Sequence, residues 1–192
     1  DFDPISTNDV TFEVWFKPVS GQTGKRTFYE TGGNGIGFSL VYDPATGEVI
    51  ATIDGNDDIT QAVVASTNGV VTDDFNQVFV TIDINGGAEV GVGTGIFEDI
   101  LSVTLNNDPS TPFDATVDAV VIDVEGDAND WSGSDDGGFN TVNGTTARNE
   151  NFPGMEGEVA AFRLYQRILT PVEMEQNYNA TLQSITSVDS PT

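Results

Sequence analysis

The chain has 192 residues, of which 31 are acidic and 6 are basic, so its formal net charge is -25. An apolar content of 38% with 12 phenylalanines is enough for a hydrophobic core, so the charge indicates an acidic surface rather than disorder. That surface disfavours nucleic acid and anionic lipid as partners, and the absence of cysteine and histidine excludes disulfides, thiolate metal sites and a histidine general base.

Short segments rich in β-branched and aromatic residues recur along the chain, separated by six Asn-Gly or Asp-Gly pairs that favour tight turns. In the first segment, TFEVWFK, alternation places Phe12, Val14 and Phe16 on one face. Glu13 and Trp15 lie on the opposite face. About ten strands at this spacing predict an all-β antiparallel β-sandwich. The clearest predicted strands are 11–17, 26–31, 37–43, 47–54, 59–66, 77–84, 98–105, 116–124 and 156–165.

The acidic segment DGNDDIT follows the fourth predicted strand. Asp54, Asn56 and Asp58 match the first ligand positions of an EF-hand loop. Position twelve is Ala65 instead of glutamate, and strands rather than helices flank the segment, so the EF-hand interpretation fails. Two interpretations stay open: a hairpin turn with solvated carboxylates, or a second possible metal cluster formed by Asp54, Asn56, Asp57 and Asp58.

The densest group of oxygen-bearing side chains lies between residues 123 and 136. On an extended backbone, DVEGDAND turns four alternate acidic or amide side chains to one side, where their repulsion favours a bound cation. If every strand reverses direction, we expect Asp73 and Asp74 at the same end of the sandwich as this stretch, and Asp54 at the other. The predicted calcium ligands are Asp127, Asn129, Asp130, Asp135, Asp136, Asp73 and Asp74.

Trp131 lies in the same stretch, and its apolar ring and single N–H donor suit stacking on a sugar. The alternative is a solvated acidic loop with Trp131 packed at the sandwich edge. Aromatic side chains elsewhere either line a sugar groove or pack in the core; they are Trp15, Tyr29, Tyr42 and Tyr165. The predicted ligand-binding residues are Trp131, Asp135, Asp136, Asn140 and Asn143.

Catalytic motifs are missing from the sequence. Glycoside hydrolases on a sandwich fold need two carboxylates across a cleft, and the strand pattern that supplies them is absent. Serine and threonine nucleophiles lack a credible base, and no phosphate-binding loop is present. The sequence therefore predicts that the protein is not an enzyme.

One helix is predicted near the end of the chain. Thr170 is a suitable N-cap, Pro171 occupies the first helical position, and Glu173 completes a capping box. The helix is expected to run to about Leu182 and to cover an edge or end of the sandwich. We expect one domain over residues 1–186, followed by a linker over 187–192.

Four segments resemble the laminin-G-like, concanavalin A-like family of jelly rolls. GEVAAFRLY at 157–165, continuing to Glu173, is similar to that family's C-terminal strand and the helix start after it. TFEVWFKP resembles its first core strand, DFNQVFVTIDI at 74–84 resembles its Trp-His-His strand without the histidines, and DWSGSDDGG resembles the long loop of bacterial members. The resemblance implies a jelly-roll fold, calcium at a loop end, and binding of glycans or protein surfaces.

The expected function is therefore that of a calcium-dependent, lectin-like module of a large secreted or cell-surface bacterial adhesin. Its expected cofactor is Ca²⁺, and its expected partners are a glycan or cell-surface glycoconjugate, with peptide as an option, and neighbouring modules of the same chain. The composition favours an extracellular location, and no apolar run approaches the ~18 residues needed for membrane insertion. The alternatives are a structural spacer that binds nothing and an accessory domain of a polysaccharide-degrading enzyme.

Overall fold

The fold is known from a computed structural model that describes residues 9–33, 36–54, 63–82, 101–106, 120–123, 138–139 and 152–188. These ranges contain ten strands and one helix. They are β1 (Val10–Pro18), β2 (Arg26–Gly33), β3 (Ile36–Asp43), β4 (Glu48–Asp54), β5 (Val63–Asn68), β6 (Asn76–Ile82), β7 (Leu101–Asn106), β8 (Val120–Asp123), β9 (Gly138–Phe139), β10 (Gly157–Tyr165) and α1 (Pro171–Val188).

The strands form two antiparallel sheets, which confirms the predicted β-sandwich with a C-terminal helix. The four-stranded sheet has the order β10-β1-β6-β7, and the six-stranded sheet has the order β8-β5-β4-β3-β2-β9. Every described strand reverses the direction of the one before it. We call one end of the sandwich the Pro18 end; strands β1, β3, β5 and β7 finish there.

Aromatic side chains from both sheets meet in the core. Phe12 of β1 stacks on Phe38 of β3 with ring centroids 4.3 Å apart, and Phe16 stacks on Phe28 at 4.8 Å. A bulge in β2 between Thr27 and Tyr29 lets two successive aromatic residues, Phe28 and Tyr29, contribute to this core. The alternation predicted for β1 is therefore correct about which side chains face the second sheet.

The short strand β9 was not predicted. It begins at the end of the stretch DWSGSDDGG, and Gly138 and Phe139 pair with Glu30 and Tyr29 at the edge of the six-stranded sheet. The Phe139 ring contacts Phe162 at 5.0 Å in a T-shaped geometry. Two residues are too few for a detectable alternation, so only this pairing identifies the strand.

Helix α1 begins as the capping box predicts and runs six residues further than expected. The Thr170 hydroxyl accepts from the Glu173 N–H at 3.4 Å, and the Glu173 carboxylate accepts from the Thr170 N–H at 2.9 Å. The helix ends at Val188 instead of about Leu182. Within the described ranges, no helix has the length and apolar character needed to cross a membrane.

Acid should loosen the start of α1. Hydrogen bonds from Arg167 and then from Thr170 lower the pKa of Glu173 from 4.5 to about 2. Because the folded-state pKa is depressed, the carboxylate stabilises the fold fully above pH 4.5, and this contribution is lost as the pH falls toward 2. We expect the difference in Tm between the wild type and Glu173→Gln to shrink over that range. Glu175→Gln, at an exposed position of the same helix, controls for net charge; an identical pH profile for both variants would contradict the assignment.

Candidate functional site

Helix α1 closes the outer face of the four-stranded sheet. Trp15 is buried on that face and stacks on Tyr178 of the helix with ring centroids 5.5 Å apart. Leu169 and Met174 pack against Phe79 of β6 on the same side. The helix therefore covers this face of the four-stranded sheet.

A buried carboxylate lies between the helix and the sheet. Glu13 is completely buried and forms an ion pair with Arg163, whose other guanidinium nitrogen donates to the Thr181 hydroxyl at 2.8 Å. The Glu13 carboxylate accepts four further hydrogen bonds, from Trp15 Nε1 at 3.2 Å, Gln77 Nε2 at 3.1 Å, Asn177 Nδ2 at 3.0 Å and Tyr165 OH at 3.3 Å. These contacts connect β1, β6, β10 and α1, so we assign the cluster to holding the helix on the sheet.

The outer face of the six-stranded sheet carries polar side chains in register. Glu30 pairs with Ser39, and Ser39 pairs with Thr52, so these three side chains form a row across β2, β3 and β4. Thr27, Val41, Ile50 and Ser66 form a second row by the same pairing. We define the outer-face row as Thr27, Glu30, Ser39, Thr52 and Ser66, all of which are buried.

An aromatic ring and a cation form the margin of this face. Phe152 is half-buried and packs against Val41 and Ile50, and the Lys25 ammonium lies 5.8 Å from the centre of its ring. Hydroxyls, a carboxylate, an aromatic ring and a cation are the groups that bind sugars: the polar groups exchange hydrogen bonds, and the ring covers the apolar C–H surface. The face therefore carries the types of group found in carbohydrate sites, with the row itself buried and the ring and the cation at its margin partly exposed.

The Thr27 hydroxyl is a member of the row whose bonding is unusual. It is fully buried, yet Oγ1 has no hydrogen-bond partner, although the backbone of Thr27 bonds to Pro153 and Met155. A buried polar atom without a partner lowers stability unless a ligand or water supplies the missing bond.

Replacing that hydroxyl should not destabilise the fold. We expect the free energy of unfolding of Thr27→Val to lie within about 0.5 kcal/mol of the wild-type value, because replacing the hydroxyl by a methyl group breaks no protein hydrogen bond. Thr11→Val is the matched control: the equally buried Thr11 hydroxyl donates to Arg167 O at 2.9 Å and accepts from Leu169 N at 3.0 Å. Thr11→Val should lower the free energy of unfolding, measured in urea, by about 1–2 kcal/mol. Equal losses would show that the Thr27 hydroxyl is satisfied.

Asp73 and Asp74, two of the predicted calcium ligands, make local hydrogen bonds. Asp73 has a left-handed backbone with φ of 61° and accepts from the Ser20 N–H at 3.1 Å, and this hydrogen bonding lowers its pKa. Asp74 accepts from the N–H of Phe75 at 2.8 Å. Both therefore stabilise the loop before β6, and among the described residues no group of three acidic side chains could hold a metal ion.

The strand count that placed Asp73 and Asp74 at the same end of the sandwich as the acidic stretch does not match the strand directions in the structure. Asp73 donates its backbone N–H to Pro18 O, which places it at the Pro18 end. Strand β8 finishes at Asp123, opposite Val64, and so runs away from that end. Strand β9 starts at Gly138 and runs back toward it. Both strands that flank the acidic stretch therefore have the ends next to it on the side of the sheet where Asp54 ends β4, away from Asp73 and Asp74.

Most other predicted site residues lie outside the described ranges. Asp54 ends β4, and only its backbone is described. The predictions for the remaining calcium and sugar ligands stay predictions. They concern Asp127, Asn129, Asp130, Trp131, Asp135, Asp136, Asn140 and Asn143, and in the second cluster Asn56, Asp57 and Asp58.

The aromatic residues considered for a sugar groove pack instead. Trp15, Tyr29 and Tyr42 are buried, and burial followed by the charge of Glu30 raises the pKa of Tyr29 to about 12. Tyr165 is half-buried and bonds to Glu13. The outer-face row was missed because each of its residues is unremarkable in its own strand, and only the register across four strands brings them together. Their one sequence signal is a polar residue at alternate positions of hydrophobic strands.

Comparison with known proteins agrees with this fold. Residues 1–92 match the Laminin_G_3 family, described as the concanavalin A-like lectin/glucanases superfamily. No curated protein sequence matches the chain. Among solved structures, the CBM40 domain of the Ruminococcus gnavus IT-sialidase is similar with a TM-score of 0.57 and 15% identity, over 90% of this chain and 83% of that one. The same domain has been solved bound to alpha2,3 sialyllactose, with a TM-score of 0.56 and 14% identity over 89% and 83% of the two chains.

Toxin domains share the architecture as well. The binding domain of botulinum neurotoxin serotype D is similar with a TM-score of 0.53 and 10% identity, over 94% of this chain. The chain spans only 39% of that toxin domain. At these identities the likeness concerns the fold alone. It confirms the jelly roll that the sequence motifs indicated.

Proposed function

We propose that this laminin-G-like, concanavalin A-like jelly roll is a non-catalytic glycan-binding module. The observation that carries the proposal is the chemistry of the outer face of the six-stranded sheet. Its polar row is buried, and the partly exposed Phe152 ring and Lys25 ammonium at its margin are the groups that a sugar can reach. The similarity to a sialidase CBM40 domain solved with sialyllactose supports a sugar as the ligand.

Two of our expectations remain part of the proposal. The first is that Ca²⁺ binds the acidic stretch through Asp127, Asn129, Asp130, Asp135 and Asp136, because calcium prefers hard oxygen ligands. The second is that the module belongs to a secreted or cell-surface bacterial adhesin. Extracellular calcium modules bind at about 10⁻⁴–10⁻³ M, so a calcium-rich medium would saturate such a site.

A glycan array tests the function. The whole chain is applied with calcium and with chelator, and hits are measured by calorimetry. We expect at least one glycan class to bind and Lys25→Ala with Phe152→Ala to weaken it by about tenfold, because the partly exposed cation and ring at the margin of the face are lost. The Thr11→Val variant, altered under α1, should bind like the wild type. No binding to any glycan would leave the structural-spacer alternative as the better account.

Removal of the proposed calcium ligands gives a separate test. Asp135→Ala with Asp136→Ala should abolish the rise in Tm that calcium produces in the wild type, because ligand binding to the folded state alone stabilises it. Asp73→Asn with Asp74→Asn, on residues already engaged in local hydrogen bonds, should leave the calcium response unchanged. If Asp135→Ala with Asp136→Ala kept the full rise in Tm with calcium, these two residues would not be calcium ligands.

A second candidate function is an accessory sugar-targeting domain of a polysaccharide-degrading enzyme. The similarity to the CBM40 domain of a sialidase favours it. The two candidates share the same binding chemistry and differ in the neighbouring domains, so the sequence of the flanking chain distinguishes them. In both cases the isolated domain should release no product from the glycan that it binds.

A further inference from the structure

The outer edge of β10 is open. Strand β10 is the last strand of the four-stranded sheet and pairs with β1 on its inner side. Its first four residues, Gly157 to Ala160, are exposed, whereas the residues from Ala161 onward are partly covered. An exposed strand edge presents unpaired N–H and C=O groups that a further strand can bind.

The backbone groups that face outward can be identified. Val19 donates its N–H to Glu156 O at 3.0 Å, so Glu156 faces β1. Because alternate residues of an antiparallel strand point to opposite sides, Glu158 also faces β1, opposite Lys17. The N–H and C=O groups of Gly157 and Val159 therefore point to the open edge. The register of the two strands shifts directly after Val159, opposite Trp15 and Phe16. The regular part of the open edge is therefore limited to Gly157 and Val159.

In the six-stranded sheet, the edge of β2 is covered by two other segments. Phe139 and Gly138 of β9 pair with Tyr29 and Glu30, and residues 153–155 bond to both backbone groups of Thr27. Two short segments thus cover most of that edge. Within the described ranges, no segment does the same for Gly157 and Val159, and their exposure agrees with this.

The surroundings of this edge are apolar with an acidic rim. Two of the exposed large hydrophobic side chains lie near this edge: Val159 on the strand, with an exposure of 41%, and Val19, which bonds to Glu156, with 46%. The acidic side chains at the start of the strand are exposed and are Glu156 and Glu158. The nearest cation, Lys17, already contacts Glu158 at 3.8 Å and lies 5.5 Å from the Phe75 ring.

We propose that this edge docks an extended segment of a basic partner protein, which adds a strand beside Gly157 and Val159. Main-chain hydrogen bonds would provide the pairing, Val159 and Val19 would contact apolar side chains of the segment, and Glu156 and Glu158 would select lysine or arginine. A second copy of this chain is a poor occupant because each copy carries a net charge of -25. The surface is separate from the outer-face row, so this proposal stands independently of glycan binding.

A synthetic strand tests the proposal on the whole chain. The probe is an acetylated, amidated peptide of alternating lysine and valine, compared with an analogue of the same charge in which alternate backbone nitrogens are methylated. If the segment pairs as a strand, methylation removes donors and should weaken binding by about tenfold. Amide exchange by NMR should show that the Gly157 and Val159 N–H groups become protected when the unmethylated peptide binds.

Two variants of one residue separate pairing from side-chain contact. Val159→Pro removes the outward N–H but leaves the groups that face β1, and it should abolish the difference between the two peptides. Val159→Ala keeps the N–H and should preserve that difference, with Tm measured for both variants.

Three outcomes would overturn the proposal. Equal affinity for the two peptides would mean attraction by charge alone. Protection confined to other amides would place the peptide elsewhere. Dimerisation of the wild type without peptide, abolished by Val159→Pro in sedimentation, would identify a second copy as the occupant instead.

Discussion

Arg163→Met should reduce the free energy of unfolding by about 3 kcal/mol, because it leaves the buried Glu13 carboxylate without its cation. Glu13 is fully buried, whereas the Arg163 side chain is 37% exposed. The exposed guanidinium is partly hydrated, so we expect a loss near the lower end of the range for broken buried ion pairs. The other donors to Glu13 are neutral and compensate only in part. Urea unfolding followed by circular dichroism measures the loss.

The same variant should release α1 selectively. Arg163 also donates to Thr181 near the middle of the helix, and Trp15 and Asn177 approach the same carboxylate. Hydrogen exchange of the α1 amides should therefore accelerate more than that of β3 and β4, which do not touch this cluster.

A double-mutant cycle provides the control for Arg163→Met. Glu13→Gln in that background replaces the unpaired charge by a neutral amide of the same size, and it should recover about half of the lost stability. Arg167→Met is the matched control on a surface pair: Arg167 bonds to Glu173 in an exposed position and should cost less than about 1 kcal/mol. A loss of the same size at Arg163 and Arg167 would contradict a desolvated ion pair.

The two faces of β1 show what alternation in a sequence can and cannot reveal. TFEVWFK correctly separates Phe12 and Phe16 from Glu13 and Trp15, since side chains of a strand alternate whatever surrounds it. It cannot reveal that a helix 160 residues later covers the second face, so that Trp15 and Glu13 are buried as well. Burial of the second face depends on tertiary packing, which no local pattern encodes.

The start of α1 and strand β9 mark the two extremes of predictability. The Thr170 capping box acts through bonds within four residues, so its sequence signature is complete and the prediction is correct. The pairing of Gly138 and Phe139 with β2 joins residues more than a hundred positions apart, and its two residues carry no periodic signal. The candidate site is limited in the same way, because Glu30, Ser39 and Thr52 become neighbours only through strand register.

Gly157→Ala should cost about 3 kcal/mol, because a methyl group at this position has no space. A Cβ atom on Gly157 would lie 3.1 Å from both the Lys17 carbonyl carbon and the Pro18 Cα, and closer still to the Lys17 carbonyl oxygen. These are backbone atoms of β1, so the clash is relieved only if β1 and β10 separate. We expect a lower Tm together with faster exchange of the amides that pair β1 with β10.

Gly21→Ala distinguishes this steric effect from the general cost of replacing a glycine. A Cβ on Gly21 meets nothing within 4 Å, but its φ of 84° is unfavourable for alanine, so we expect the free energy of unfolding to fall by about 1 kcal/mol while β1 and β10 stay paired. If Gly157→Ala were no more destabilising than Gly21→Ala, the close approach of β10 to β1 would be wrong. The open edge at Val159 would then lose its geometric basis too, since the outward direction of its N–H follows from the same strand pairing.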